Sequence, residues 1–227
     1  MSSADQHTGK ITDGSNTLYR CYAATQEARN VHIRKKRWSN YLQLKQAGSV
    51  EQMNALLYDS LMPKYDKYYE NHSQYPIVRA HIGGEFFNKH YFEAWLELAT
   101  QLPYKVYAYT KAIPLWSHYH SDIPDNFELN GSLGGKYDNE LVSGDFKTAM
   151  VVYSPEEAVE LGLEIDHDDS HAYNKGPSFA LLLHGTQPAG SEASLAKSAL
   201  QKRGWNGYGK SHSTAWKSIK KKNPAIL

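Results

Sequence analysis

The segment 79–87, with the sequence RAHIGGEFF, holds residue types that acid–base chemistry uses. Alternation along a strand places the Arg79 and His81 side chains on one face, and the glycines that follow permit a tight turn close to a ligand. Glu85 would then project at the rim of that turn, so His81 and Glu85 are the candidate proton-transfer groups. The candidate ligand-binding residues of this segment are Arg79, Gly83 and Gly84. The alternative is an ordinary strand-to-helix turn with a solvated glutamate.

A second candidate is a run of imidazoles and carboxylates, HDDSH, at residues 167–171. Histidine nitrogens and aspartate oxygens at short spacing can bind divalent transition metals, which makes His167, Asp168 and His171 a candidate metal site. His118 and His120 belong to a similar group. Neither group matches a zinc signature such as H-E-x-x-H, and a hydrogen-bonded polar loop is the preferred alternative for both.

A third candidate is a glycine-rich turn, SLGGK, at residues 132–136. The backbone N–H groups of such a turn can bind phosphate and a lysine can neutralise it, so Ser132 and Lys136 are candidate ligand contacts. Lys111 and His184, each at the end of a predicted strand, are candidates of the same kind. The P-loop pattern G-x-x-x-x-G-K-[ST] is absent, and a plain turn is the favoured alternative.

Short strands alternate with helices around these segments. Apolar or β-branched runs predict strands at residues 76–82, 105–110, 126–132, 149–153 and 178–183. Helical spacing predicts helices at 25–47, from 50 to a stop or kink at Pro63, and at 88–103, 154–161 and 191–200. The predicted N-caps include Asn88 and Ser154, the latter in a capping box with Glu157. Since parallel strands need long crossovers, this alternation predicts a parallel α/β fold, either an open sheet or an incomplete barrel. Ligands bind at the carboxyl ends of the strands in such folds, where most of these candidates fall.

Composition limits the class of protein. The 227 residues, 41% of them hydrophobic, suffice for one folded domain and argue against disorder throughout. No stretch reaches the roughly 18 uncharged apolar residues of a spanning helix, so we expect no membrane partner. The first 13 residues lack the apolar run of a secretory signal, and the single cysteine, Cys21, excludes an internal disulfide. We therefore expect a cytoplasmic protein.

The net charge of +1 is unevenly distributed along the chain. Residues 1–50 carry +5, residues 51–196 carry −12, and residues 197–227 carry +8 with no acidic residue. The predicted organisation is a polar N-terminal segment (1–15), an α/β domain (16–196) and a basic, aromatic tail (197–227). Basic side chains neutralise phosphates and aromatic rings stack on bases, so the tail is a candidate contact for single-stranded nucleic acid. The alternative is a solvated tail whose tryptophans pack on the domain.

Several ordered segments resemble a phage protein family known as gene product 88. They are CYA at 21–23, HIGGEFF at 81–87, EAWLELA at 93–99, VYAYTK at 106–111, IPDNF at 123–127, SLGGKYD at 132–138, HDDSH at 167–171 and LLHGTQPAG at 182–190. Members of that family resemble the radical S-adenosylmethionine barrel. This resemblance implies a parallel partial (βα) barrel. It also implies that the protein is located in the cytoplasm of the host cell if it is encoded by a phage.

The same resemblance concerns two cofactor motifs. A G-G-E turn cradles the methionine part of the cofactor in true radical enzymes, and residues 83–85 match that turn. The family's C-x3-C-x2-C cluster is not matched, because Gly14 and Leu18 stand at the first two cysteine positions and only Cys21 is present. One thiolate cannot hold an open [4Fe–4S] cluster, so we expect no iron–sulfur cluster, and the identity of any other cofactor stays unknown.

Three functions remain open from the sequence. The first is a phage-type accessory protein of unknown reaction that binds a small phosphate- or nucleotide-like ligand, or nucleic acid, at the barrel mouth through Arg79, His81, Glu85 and Lys111. The second is a metal-assisted hydrolase that uses His167, Asp168 and His171 as ligands and Glu85 or His81 for proton transfer. The third is a non-catalytic scaffold that has lost the iron–sulfur site.

Overall fold

The computed structural model describes residues 2–15, 17–73, 75–205, 207 and 208. Its helices are α1 (Tyr22–Arg29), α2 (Val31–Gln46), α3 (Val50–His72), α4 (Lys89–Gln101), α5 (Ile113–His118), α6 (Asp138–Ser143), α7 (Pro155–Glu160), α8 (Ser170–Tyr173) and α9 (Glu192–Lys202), with a 3-10 helix at His120–Asp122. Its strands are β1 (Ser3–Ala4), β2 (Ile11–Thr12), β3 (Val78–Arg79), β4 (Val106–Thr110), β5 (Phe127–Ser132), β6 (Thr148–Val152), β7 (Glu164–Ile165) and β8 (Phe179–Leu182). None of the helices in these ranges combines the length and the apolar character that crossing a bilayer requires.

Strands β3 to β8 form one sheet in which every pairing is parallel, in the order β3-β4-β5-β6-β8-β7. The predicted parallel α/β class is therefore confirmed, and each of the five predicted strands is present. Strands β1 and β2 form a separate antiparallel hairpin. The described strands close no barrel, because β3 and β7 lie at the two edges of the sheet. The sequence does not predict β7, since two residues show no periodicity.

The two faces of the sheet differ in what covers them. On the helix face, Ala108 packs in one core with residues of α4, and Val152 and Leu182 pack in another with residues of α7 and α9. The alternate residues point to the polar face, which carries Arg79, Tyr107, Tyr109 and Asn130, with Tyr107 directly beside Arg79 and Asn130 beside Tyr109 in the register. Helices α4, α7 and α9 thus leave the polar face to other elements.

Helix α8 covers part of the polar face because the direction of strand addition reverses. From β3 to β6 each new strand is added on the same side, and right-handed crossovers then keep the connecting helices on one face. The chain goes on to β7 and returns to place β8 between β7 and β6, so the same handedness puts α8 on the opposite face. Ala172 of α8 accordingly packs with Tyr107 and Phe179, and the buried Asn130 amide donates to the Ala172 carbonyl at 2.8 Å.

The N-terminal helices differ from the predicted ones in two places. The helix predicted for 25–47 is divided at Asn30, whose side chain accepts from the backbone N–H groups of His32 and Ile33 and so caps α2. Helix α3 does not stop at Pro63 but continues to His72. The turn beyond the proline is held by tertiary packing, since the Tyr65 ring lies 5.0 Å from that of Tyr104.

The start of α7 follows the predicted cap with one shift. Ser154 Oγ accepts from the Glu157 N–H at 3.1 Å, as predicted for the N-cap. The Glu157 carboxylate accepts from the N–H of Tyr153 at 2.6 Å, one residue before the cap, instead of from Ser154 itself. The N–H groups of Tyr153 and Glu157 are thus both bonded to side chains of the same short motif.

The segment that begins at residue 197 starts inside α9, which extends to Lys202. Trp205 is 2% exposed and its indole N–H donates to the Leu183 carbonyl at 3.0 Å. This tryptophan therefore packs on the domain, as one of the two readings of the tail expected. Residues 209–227, which hold most of the predicted tail, lie outside the described residues.

Gly131 of β5 gives a test of packing on the helix face. A Cβ atom there would overlap the side chain of Leu141, which is 1% exposed. We expect Gly131→Ala to lower the free energy of unfolding by about 1–3 kcal/mol, the usual range for overpacking a core. Gly176→Ala is the matched control, because a Cβ atom there meets nothing within 4 Å. Urea denaturation of both variants tests this packing, and equal stabilities would contradict it.

Candidate functional site

Asp169 is the centre of a hydrogen-bonded cluster on the polar face. Its two carboxylate oxygens accept from the hydroxyls of Tyr107 and Tyr109, each at 2.9 Å. The Arg79 guanidinium lies 4.7 Å from the centre of the Tyr109 ring, and its Nη1 is 3.4 Å from Asp169 Oδ2. Burial first, and then the Asp169 charge, raises the pKa of both tyrosines, so the phenols stay protonated and donate. We call Arg79, Tyr107, Tyr109 and Asp169 the tyrosine–aspartate cluster.

Asp169 adopts a left-handed backbone conformation, with φ of +64°, at the N-cap of α8. Non-glycine residues rarely adopt such angles, and they tend to do so where the surroundings hold them in place. Here the two phenols fix the side chain while α8 follows at once along the chain. Through the tyrosine–aspartate cluster, β4 therefore holds the turn at Asp169 in this conformation.

Tyr22, the first residue of α1, connects this cluster to the last strand end. Its hydroxyl donates to the Ile82 carbonyl and accepts from Arg79 Nη2, the latter at 3.1 Å. Its ring lies 5.4 Å from that of His184, which follows β8. Burial lowers the pKa of His184, and the Arg79 charge lowers it further against the opposing Leu182 hydrogen bond. Arg79 and His184 are thus brought to one place, with Tyr22 between them.

Glu85 connects the double-glycine turn to the end of β4. Its carboxylate accepts from Thr110 Oγ1 and from the backbone N–H of Lys111, both at 2.6 Å, and from the N–H of Phe86 at 2.9 Å. Burial raises the pKa of Glu85, and these three bonds oppose that shift. The carboxylate therefore faces the adjacent strand end and acts as an anchor between two loops.

Lys111 carries a charge that neighbouring neutral groups solvate. Its ammonium donates to the carbonyl oxygens of Ser132 at 2.7 Å and Leu133 at 2.5 Å, and the Tyr19 hydroxyl donates to that same Leu133 oxygen at 3.0 Å. No carboxylate within the described ranges lies in ion-pair distance of Lys111. Burial lowers the pKa of Lys111, with Asp138 and Glu85 opposing from farther away. Glu85, Lys111 and the Ser132 carbonyl converge in this way.

The glycine-rich turn is occupied by a carboxylate of the same chain. The backbone N–H groups of Gly134 and Gly135 donate to Asp138 at 2.9 and 2.8 Å. Lys136 lies 5.2 Å from the centre of the Tyr137 ring. The turn can indeed hold an anion, but its amides and Lys136 face local partners, and a plain turn explains it.

His81 does not join Arg79, so the prediction from strand alternation is wrong here. Strand β3 ends at Arg79, and the following turn rotates His81 towards α4. Its ring packs 4.6 Å from that of Phe86 and 6.2 Å from that of Trp95, and its Nε2 lies 3.1 Å from the Tyr91 hydroxyl. His81 Nδ1 is buried with no hydrogen-bond partner among the described residues.

The two predicted turn glycines are required for different structural reasons. A Cβ atom on Gly83 would lie 2.9 Å from Ala23 Cβ and 2.8 Å from Arg37 Cζ. Gly84 has φ of +131°, which only glycine adopts without strain. Gly83 therefore needs to be glycine for the close approach of α1 and α2, and Gly84 for its backbone conformation.

The HDDSH segment does not gather its members into one site. His171 Nε2 lies 3.1 Å from Glu164 and its Nδ1 3.5 Å from Asp166, while Asp168 accepts from the N–H of Ser170. His167 has contacts of its own with the surrounding structure. Within the part of the chain that the structure describes, no three His, Cys, Asp or Glu side chains are grouped as a metal ion would require.

Several important residues escape the sequence reasoning. Tyr19, Tyr22, Tyr107, Tyr109 and Asp169 build the site, yet none of them is a sequence candidate. The alternation in VYAYT does place Tyr107 and Tyr109 on one face of β4, and this signal was available. Nothing local indicates that Asp169, sixty residues later, receives both hydroxyls.

The buried His81 ring predicts a stability that falls with acid. Burial lowers the pKa of His81 to about 4, below its value near 6.5 in an unfolded chain. Protonation between these values therefore favours the unfolded state, and we expect a loss of about 3 kcal/mol as the pH falls from 6.5 to 4. The free energy of unfolding, measured with denaturant as a function of pH, should vary less with pH in His81→Leu than in wild type. The exposed His32→Leu is the control and should follow the wild-type pH dependence. The same pH dependence in both variants would refute this prediction.

Asp166 should show the opposite dependence. It is fully buried, its Oδ2 lacks a partner in the described structure, and burial raises its pKa against the Asp168 N–H and His171. Its folded-state pKa is above the unfolded one, so the deprotonated carboxylate lowers stability as the pH rises through that pKa. We expect Asp166→Asn to be about 1 kcal/mol more stable than wild type at pH 8, with no gain at pH 4.

Asp168→Asn is the matched control for Asp166→Asn. The Ser170 hydrogen bond lowers the pKa of Asp168, so this variant should lose stability at pH 8. Urea midpoints for both variants at the two pH values measure the difference. A loss of stability in Asp166→Asn at pH 8 would contradict the assignment of an uncompensated buried carboxylate.

Comparison with known proteins agrees with the pattern of segments around this site. The chain has no significant match among the curated proteins or among the solved structures. A family model described as gene product 88 matches residues 14–204, which include the sheet of β3 to β8 and every residue of the tyrosine–aspartate cluster. The match covers most of the chain, and the protein belongs to the gene product 88 family.

Proposed function

We propose that this protein binds a small anionic ligand, phosphate- or nucleotide-like, at the carboxyl ends of its strands, as a phage-type accessory protein. The observation that carries the proposal is the surroundings of the Lys111 ammonium. Its ammonium is partly buried, donates to two neutral carbonyls and has no described carboxylate in ion-pair distance. A buried charge is costly unless it is paired, and an ammonium has three protons, so an anion could use the third.

Arg79 supports the proposal as a second cation. The guanidinium donates to the His81 carbonyl at 2.9 Å and to the Tyr22 hydroxyl at 3.1 Å, while its distance to Asp169 is a long 3.4 Å. The Asp169 oxygens receive shorter bonds from two tyrosines, so Arg79 keeps donor capacity for a ligand. The rings of Tyr22 and His184 beside it would suit the flat face of a base.

The scaffold that we propose is an incomplete (βα) barrel like that of the radical S-adenosylmethionine enzymes, without the cluster. Strands β3 to β6 follow one another in sequence order with α4 and α7 on one face, which is how such barrels are built. In this scaffold Glu85 is a positioning residue, since its carboxylate holds the backbone of Lys111. Cys21 is exposed and stands alone as a thiol.

The metal-assisted hydrolase is the weaker alternative. Its ligand set of His167, Asp168 and His171 makes separate local contacts, and the described residues offer no other group for a metal ion. His81, its proposed proton-transfer group, faces α4. A non-catalytic scaffold is the remaining alternative, and it becomes the conclusion if no anion binds.

Calorimetric titration with inorganic phosphate, pyrophosphate and ADP tests the proposal. We expect at least one probe to bind wild type, and Lys111→Met and Arg79→Gln each to weaken it about tenfold or more, because each removes a charge-assisted hydrogen bond. Lys175→Met is the matched control: it removes one exposed lysine, whose ion pair among the described residues is with the exposed Asp125, and it should leave the affinity unchanged.

Lys111→Arg and thermal unfolding separate a binding defect from a folding defect. The arginine keeps the charge and should retain affinity within about threefold, whereas a purely structural role for the ammonium would not distinguish arginine from methionine in binding. If Lys111→Met binds as well as Lys175→Met, or if wild type binds none of the three probes, the proposal is wrong.

A further inference from the structure

The surface of α2 is basic, and its apolar stripe is uncovered. The helix carries five lysine or arginine residues and no acidic residue. Of its residues only Arg34 is buried, whereas Val31 and Leu42, at helical spacing on one side, are 42% and 41% exposed. A stripe of this kind usually packs on a core. Here it faces outward.

A groove of roughly 470 Å³ follows this stripe, between α2 and the loop that joins β1 to β2. Its walls include Lys35 and Trp38, with the amides of Gln6, Gln43 and Gln46 around them. Among the residues that the structure describes, none that lines the groove is acidic. Its volume lies within the range of about 300–1,000 Å³ typical of ligand sites.

Arg34 keeps the two walls of the groove together. From α2 its guanidinium donates to the carbonyl oxygens of Gln6 at 3.2 Å and His7 at 3.3 Å in the loop, and to that of Glu27 at 2.5 Å in α1. Its charge is therefore directed to the interior. Lys35 and Lys36 are exposed and make no hydrogen bond or ion pair with the described residues, so their charges are available to a partner.

We propose that this groove binds single-stranded nucleic acid, at a site separate from the strand ends. Lys35 would neutralise a phosphate, and the Trp38 indole offers a surface on which a base can stack. The glutamine amides both donate and accept hydrogen bonds, as the edges of unpaired bases require. The combination of cation, indole and amides in one groove fits a nucleotide chain.

Charge selects this occupant over two others from the chain itself. A second copy would bring another α2 with the same five cations against the first, and the like charges would repel. The tail from 197 to 227 carries +8 and would be repelled equally. An acidic peptide would satisfy the lysines, but it lacks the flat rings that stack on Trp38.

Fluorescence anisotropy with a labelled thymidine 12-mer tests the proposal on the full chain. We expect Lys35→Glu and Trp38→Leu each to weaken binding about tenfold. The affinity of Lys35→Glu should also depend less steeply on salt, because each phosphate contact contributes a slope of roughly 0.7 to a plot of log affinity against log salt concentration. Lys64→Glu on α3 is the matched control, since it makes the same charge change at another exposed position and should have little effect.

Three further measurements decide between this groove and other sites. Lys175→Glu, at an exposed position outside the groove lining, should leave oligonucleotide affinity unchanged, and a loss there equal to that of Lys35→Glu would overturn the proposal. The second measurement replaces Lys220, Lys221 and Lys222 by glutamate. If this abolishes oligonucleotide binding while the α2 variants bind like wild type, the nucleic acid binds to the tail and the proposal is overturned. If polyglutamate displaces the labelled 12-mer as effectively as an unlabelled oligothymidylate of equal charge does, the groove binds acidic peptides and the proposal is overturned.

Discussion

The handedness of the crossovers is the constraint on which the arrangement of this protein depends. Strands added in one direction place α4 and α7 on one face of the sheet, and the return from β7 to β8 places α8 on the other. Only this reversal brings Asp169 over β4, where the hydroxyls of Tyr107 and Tyr109 reach it. If β8 lay outside β7, α8 would join the other helices and the polar face would lose its cluster.

The strand ends show how charged groups are held in a partly buried environment. Glu85 is satisfied by two backbone N–H groups and one hydroxyl, and Asp169 by two phenols, so neither carboxylate needs a cation as its main partner. The two cations of the site are consequently left without a carboxylate as their main partner. Arg79 and Lys111 bond mostly to neutral oxygen atoms, and this imbalance is what makes an anion the expected ligand.

The strand ends and the α2 groove are linked through α1 while differing in chemistry. Arg37 of α2 donates to the Ala23 carbonyl and pairs with Glu27, which fixes α2 to α1, and Tyr22 at the start of α1 bonds to the strand ends. The strand-end site is partly buried and rich in phenols. The groove is open and basic, in a chain whose residues 51–196 carry −12. Most of the domain surface therefore repels a polyanion and α2 attracts it.

The sequence by itself determined five of the six strands of the sheet, their parallel pairing and the helix caps at Asn88 and Ser154, because these depend on local periodicity and on hydrogen bonds between near neighbours. It also placed Glu85 and Lys111 at strand ends. The tertiary structure alone decided the position of β7, the side to which His81 turns and the continuation of α3 through Pro63. Each of these depends on contacts between residues far apart in the chain, whose gain in packing outweighs the local preference. The pairing of Asp169 with two tyrosines some sixty positions away is of the same kind, and no local pattern encodes it.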